Sequence, residues 1–265
     1  MKLLSNKTLL ILLVLISGYG YIASCTRDNE LPPPPATTGP IINHGTNVHL
    51  PGSMTVGNNN EWKVDKAHSS VLWSTNYVGA AGLLTGRFNQ FGVHDVTDAK
   101  MLNYVIAGQP LPDSSWAFYE NEPAKTYFNG YVQINQSNTG EPGRDAGCNV
   151  SGMGTTAIVA GTQNLTVTNI ARIKTTEVKF DPASNDYIVT FKFTWQGKLA
   201  TPLTQTIVGK LKYIPKASVQ FGTAAGYDVF GLQFKFQFNC RDFGITSTSI
   251  SDKIEIEVNV NLNNK

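Results

Sequence analysis

The sequence predicts an all-β fold in which about eight to ten antiparallel strands close into a barrel or stack as a sandwich. Three observations carry that reading. Apolar residues recur at every second position in run after run, the period of a strand with one dry and one wet face. No window keeps a helical period between recognisable caps. Composition points the same way, since only 15% of residues are charged while Gly, Thr, Asn and aromatic residues are plentiful.

The clearest run spans residues 232–245. Leu232, Phe234, Phe236, Phe238 and Cys240 fall on one face, with Gln233, Lys235, Gln237 and Asn239 on the other. Each Phe buries roughly 150–250 Å² if enclosed, more than a small sandwich needs from one strand. The run ends in Arg241, Asp242, Phe243 and Gly244, a charged rim that suggests the mouth of a barrel. Upstream, Val71, Trp73, Thr75 and Tyr77 share one face of a strand that reaches the glycine-rich stretch 78–82, and residues 86–92 begin another strand region. Further alternating runs lie at 99–107, 126–134, 164–180, 187–195, 206–214, 230–240 and 253–262. In 187–195 the odd positions hold Tyr187, Val189, Phe191, Phe193 and Trp195. Two connections exceed what hairpins need. Residues 109–123, with Trp116, Phe118 and Tyr119, read as a short helix or flap; residues 136–161 are glycine-rich and without pattern. Both are candidate lids.

The N-terminus reads as an export signal. Lys2 and Lys7 precede an apolar run at 9–16 that is short for a membrane span, and residues 22–25 end in Cys25 in the manner of a bacterial lipobox. Residues 1–24 are therefore expected to be a lipoprotein signal peptide, with acyl chains on Cys25 anchoring the mature chain. Residues 25–60 form a tether stiffened by Pro32, Pro33, Pro34 and Pro35, and 61–265 form the folded domain. The expected location is the envelope of a Gram-negative bacterium. Thr26 replaces the Asp that retains lipoproteins at the inner membrane, which favours the outer membrane facing the periplasm. The charged cluster 27–30 leaves surface display open. Cys148 and Cys240 remain, either bridged in an oxidising compartment or as two separate buried thiols. The precursor has 21 Lys and Arg against 19 Asp and Glu, and cleavage removes Lys2 and Lys7. A balanced chain without a basic run gives no electrostatic case for nucleic acid.

Catalytic and metal motifs are weak. Asp65, His68 and Ser69 lie within five residues of one another, too close along the chain to converge as nucleophile, base and orienter. There is no nucleophile elbow, zincin helix or phosphate-binding glycine loop. His44 and His49 have no chelating spacing. No cofactor, metal or enzymatic activity is expected.

Four patches resemble the YceI family of bacterial envelope proteins. Trp62, Asp65, His68 and Ser69 match its opening element, and Gly86, Phe88 and Phe91 the G-x-F-x-x-F element behind it. Thr139, Gly140, Arg144 and Asp145 match its T-G-x-x-x-R-D element, and the strand pair at 187–211 its segment around a small-residue turn. Arg241, Asp242, Phe243, Gly244 and Ile245, followed by Asp252, match a compressed form of its closing block. Two departures concern the loop at the mouth. Ala146, Gly147 and Cys148 stand where the family commonly has His-Leu after Arg-Asp, and the aromatic pair expected next is missing.

The resemblance implies a lipocalin-like, extended antiparallel β-barrel of about eight strands, with an interior for one slender guest. It also implies the guest: an isoprenoid or fatty-acid-like lipid, carried or stored. Burying one five-carbon isoprene unit is worth roughly 3–4 kcal/mol before ordering costs. The expected lining is Trp73, Phe191, Phe193, Trp195, Phe234, Phe236 and Phe238, although the same faces fit a packed core with no guest. Arg144, Asp145, Arg241 and Asp242 either hold a headgroup at the rim or pair Arg to Asp and stitch strand ends together. The competing reading is an adhesion or glycan-binding β-sandwich lipoprotein with its aromatics on an exposed platform. Oligomeric state is left open.

Overall fold

The computed structural model describes residues 47–49, 62–78, 81–92, 116–147 and 170–265, all within one compact unit, Asn43–Lys265. Cys25, His44, Cys148, the run 99–107 and the beginning of the run 164–180 lie outside the described residues.

Where one face of an alternating run is filled with aromatic and β-branched residues, a strand forms. The strands are β1 (Asn47–His49), β2 (Lys63–Val64), β3 (Ser70–Tyr77), β4 (Gly82–Phe88), β5 (Phe91–Gly92), β6 (Trp116–Tyr119) and β7 (Tyr127–Gln133). They continue with β8 (Ser137–Asn138), β9 (Ile170–Asp181), β10 (Asp186–Trp195), β11 (Leu203–Val219), β12 (Tyr227–Asn239) and β13 (Lys253–Asn263). Antiparallel ladders run in the order β7, β9, β10, β11, β12, β13, β3, β4. The sheet then curls back on itself. Arg87 and Phe88 of β4 pair with Asn138 and Ser137 of β8, and Phe91 and Gly92 of β5 pair with Val132 and Tyr131 of β7. Counted as bent single strands, β4 with β5 and β7 with β8 complete a ring of eight. Between those two ladders the Asn89 N–H donates to the Gln136 carbonyl and the Gln133 N–H to the Gln90 carbonyl, each at 2.9 Å. The fold is thus the all-β antiparallel barrel that the alternation and the resemblance predict.

The inward residues are those the period of two selects. Along β10, Tyr187, Val189, Phe191, Phe193 and Trp195 are buried; along β12, so are Phe230, Leu232, Phe234, Phe236 and Phe238. In the β12–β13 ladder Phe234, Phe236 and Phe238 stand opposite Val258, Ile256 and Ile254. Two glycines let rings cross a strand to reach the next but one. A Cβ at Gly209 of β11 would sit 2.5 Å from the Phe234 ring and 2.8 Å from the Lys235 carbonyl oxygen. A Cβ at Gly86 of β4 would sit 2.5 Å from the Trp73 indole. Across Gly86 the Trp73 indole N–H donates to the Ser137 hydroxyl at 2.8 Å, with both groups buried.

Several expectations need correction. Trp116, Phe118 and Tyr119 do not form a helix: they make β6, with Trp116, Ala117 and Phe118 buried. Within the patternless stretch 136–161, residues 137–138 are a strand and Pro142–Gly147 a short helix, α1. Pro142 suits the first helical position, where its missing N–H has no partner to lose, and the Glu141 carboxylate accepts the Arg144 N–H at 2.5 Å. Asn47–His49, inside the expected tether, pair with β6 as β1. The alternative sandwich is not formed, because one continuous sheet supplies both walls.

Candidate functional site

Within the ring the aromatic side chains tile one wall. Phe191 lies 5.3 Å from Phe234 and 4.9 Å from Phe236, centroid to centroid, both edge-on, and Phe193 lies 4.8 Å from Phe238. Edge-to-face and tilted pairs of this kind add about 0.5–1.5 kcal/mol each beyond area burial. Between this wall and the opposite one, made by Val71, Phe88, Phe91, Tyr131, Ile134 and Ala171, lies a cavity of about 90 Å³. Its lining is almost wholly apolar. Of the seven aromatics expected to line it, Phe193, Phe234, Phe236 and Phe238 do so. Phe191, Trp73 and Trp195 are just as buried but are packed behind the lining, Trp195 5.7 Å from Phe238 and 5.2 Å from Phe243. The cavity is smaller than the roughly 150 Å³ that admits benzene. This interior is nearly filled by its own side chains, and it is not the open tube that a long guest requires.

Both ends are plugged. At one, β6 lies across the opening. Phe118, fully buried, sits 5.5 Å from Tyr187, 4.9 Å from Tyr213 and 6.0 Å from Phe230. Trp116 borders the cavity itself, and Trp62 packs edge-on against Phe230 at 4.9 Å. Backbone pairing of β6 to the ring is short, Trp116 with Phe128 and Ala117 with Tyr127. Side chains add to it: the Tyr187 hydroxyl donates to the Glu120 carbonyl at 3.1 Å, and the Tyr119 N–H to the Thr126 hydroxyl at 2.9 Å. Burial pushes the Tyr187 phenol up to about 12, and the nearby Glu120 carboxylate and Tyr213 add to the rise.

The other end is closed by the block that follows β12. A 3-10 turn over Cys240–Phe243 inserts Phe243 against Phe193, Trp195 and Phe238 at 5.3, 5.2 and 5.5 Å, and Ile245 and Ile250 fill in behind it. Arg241 holds this plug in an unexpected way. Its guanidinium donates to the carbonyls of Ile245, Ser247 and Ile250 at 2.9, 2.7 and 2.8 Å. It forms no ion pair with Asp242, whose carboxylate accepts instead from the Gln205 amide at 2.8 Å. Asp145 accepts the Thr139 hydroxyl at 2.7 Å and the Thr139 N–H at 3.0 Å, fastening α1 to the residue after β8. Arg144 is half-buried on the same short helix. Three of these four residues therefore have defined structural partners, through backbone and amide groups more than through Arg–Asp pairing. Cys240 is a fully buried free thiol 3.6 Å from the Ser251 carbonyl, and burial raises its pKa.

The opening motif is structural as well. Asp65 caps a 3-10 turn through the Ala67 and His68 N–H groups, and its other oxygen meets His68 Nδ1 at 2.8 Å. Burial opposes ionisation of Asp65, but the hydrogen bonds from His68 outweigh it and hold the carboxyl below its ordinary value. Ser69 donates to the Asp65 carbonyl at 2.6 Å and accepts the Asn261 N–H at 2.9 Å, which ties the domain's first turn to β13. Among the described residues no three His, Cys, Asp or Glu side chains converge as a metal set.

Comparison with known proteins adds the following. A profile of the YceI-like domain matches residues 62–262. No curated protein matches the chain. Similar solved structures include a mutant CJ YCEI protein crystallised for nanotechnology applications, at 13% identity over 69% of this chain and 85% of that one, with a TM-score of 0.39. Another is a polyisoprenoid binding domain from Saccharophagus degradans implicated in plant cell wall breakdown, at 12% identity over 76% and 97%, with a TM-score of 0.38.

The two plugs give separable predictions. Arg241→Ala removes three charge-assisted bonds to carbonyls and is expected to cost about 2–3 kcal/mol in denaturant unfolding, with affinity for added long-chain lipid unchanged. Unchanged stability with lost affinity would make Arg241 a headgroup ligand. For Tyr187 the folded pKa lies above the unfolded one, so its contribution is complete below pH 10 and is lost as pH rises to about 12. Urea melts across that window should show a steeper loss for wild type than for Tyr187→Phe; equal slopes would remove Tyr187 from the account.

Proposed function

Since the chain belongs to the YceI-like domain family, we propose that its barrel takes up the hydrocarbon tail of one long-chain lipid, isoprenoid or fatty-acid-like, and shields it from water. The observation that carries this reading is a closed ring with an apolar interior, in which Phe193, Phe234, Phe236 and Phe238 face a cavity and Trp116 of β6 borders it. Membership of the YceI-like domain family supports reading the protein as a binder. At about 90 Å³ the cavity is a seed for the guest and not its final shape.

Room for the rest of the tail comes from β6. Its backbone pairing to the ring is only the two residues with β7, as short as either pairing of the closing seam, and its other edge carries β1. Outward movement of β6 joins the space of Trp116 and Phe118 to the cavity, and opens the end of the ring where Tyr187, Tyr213 and Phe230 stand. The tail then exchanges contacts with those rings for contacts with itself. Each enclosed methylene contributes about 0.8 kcal/mol, so several isoprene units outweigh the displacement of two side chains.

The sequence signal at residues 22–25 completes the proposal: acyl chains on Cys25 and the Pro-rich stretch that follows it hold the carrier to an envelope membrane, the outer one facing the periplasm. Protein purified gently from its own host and analysed by native mass spectrometry is expected to carry one lipid per chain, released by organic solvent. Bare protein that also fails to take up added polyprenol or fatty acid would end the carrier reading.

A further inference from the structure

The β11–β12 hairpin outgrows the barrel. β10 pairs with β11 only as far as Leu211, opposite Tyr187, while β11 and β12 stay paired out to Val219 and Tyr227. The extension leaves the ring at the end plugged by β6, where its inward residues Tyr213 and Phe230 touch Phe118. From Ala217 to Tyr227 the chain has no charged side chain. At the tip Phe221 is 69% exposed, yet the turn around it is well bonded. The Ala224 N–H donates to the Phe221 carbonyl and the Gln220 amide to the Ala224 carbonyl, both at 3.1 Å. The Tyr227 ring lies 6.5 Å from that of Phe221. Exposed Ile214 lies further back, among exposed Lys212 and Lys216. A third cation, the Lys265 ammonium, sits 5.3 Å from the centre of the Tyr227 ring. Asp228 is the only acidic residue between 212 and 228, and Lys216 reaches it at 3.9 Å.

Three occupants suit an exposed apolar hairpin, and two fit poorly here. An added strand would need a clean edge, but Pro215 and the register break between Ile214 and Ala217 blunt this one. A protein partner would need a broad apolar patch, and one ring at the end of a narrow ribbon falls far short of a stable interface. A bilayer surface asks for what is present. An aromatic side chain settles at the boundary of headgroups and acyl chains, while lysines behind it extend to lipid phosphates.

We propose that the β11–β12 tip docks on an anionic lipid bilayer, with Phe221 at the headgroup–acyl boundary and Lys212, Lys216 and Lys265 against the phosphates. The docked hairpin turns the end of the ring closed by β6 towards the membrane. This holds whether or not the interior carries a guest.

The test uses the full chain with Phe221→Trp and vesicles of phosphatidylglycerol and phosphatidylcholine in equal parts, or of phosphatidylcholine alone, brominated on the acyl chains. The emission difference from wild type isolates the new indole. It is expected to shift to the blue and to be quenched by bromine, more strongly on the anionic vesicles. Adding Lys212→Glu and Lys216→Glu should reduce the quenching several-fold. Because the indole reports its own depth, a chain held on the vesicle by its N-terminus alone gives unshifted, unquenched emission, and that result overturns the proposal. A blue shift that appears without vesicles and grows with protein concentration overturns it too, by making a second copy the partner.

Discussion

The whole interior depends on one short seam, where Arg87, Phe88, Phe91 and Gly92 pair with Asn138, Ser137, Val132 and Tyr131. An antiparallel sheet with one apolar face must cover that face, by a second sheet or by closing on itself. Here closure does it, and no second layer exists among the described residues. The seam is too brief to hold by backbone bonds alone. The Trp73 indole reinforces it from inside by crossing Gly86 to reach Ser137. Without the glycine the ring could not lie flat across β4, and without the serine a buried N–H would lack its acceptor. A pair of small residues thus secures the closure.

Once closed, the ring is filled by aromatics that reach over Gly209 to meet one another. Close packing of this kind leaves a small apolar void, and the two plugs seal the ends differently. The block after β12 is pinned by a guanidinium spanning three carbonyls, whereas β6, with β1 on its other edge, joins the ring through a two-residue ladder and single side-chain bonds. If one end yields to a guest, this difference in attachment selects the β6 end. The long hairpin grows from the same end, so entry and membrane approach coincide in space.

Much of this was legible in the sequence. The period of two placed β3, β10, β12 and β13 within a few residues, and it oriented Phe234, Phe236 and Phe238 inward, because an eight-stranded ring has only one dry side. β6 was not legible. Trp116, Ala117 and Phe118 are all buried, so no alternation marks them as a strand; they lie across an opening and have no wet face. The partners of Arg241 were missed for another reason. A neighbouring Asp242 suggests an ion pair by its chemistry, but the true acceptors are carbonyls, which every residue carries and no motif displays. Of the seven aromatics named as lining, period alone could not separate the four that border the cavity from the three packed behind them. That division depends on where rings tilt across glycines. Phe221 is not legible either, since a lone aromatic in a turn has no pattern, and only its exposure singles it out.

The proposed seat of the lipid tail is the void between the aromatic wall and Ala171. Ala171 is buried, lies on the far side of the void, and has no polar partner to lose. Ala171→Leu adds three carbons, which occupy most of the space. Isothermal titration of this variant and of wild type with a solubilised long-chain polyprenol measures the claim directly. At least a tenfold loss of affinity is expected, with thermal stability kept or raised. Equal affinity in a well-folded variant would place the lipid elsewhere and contradict it.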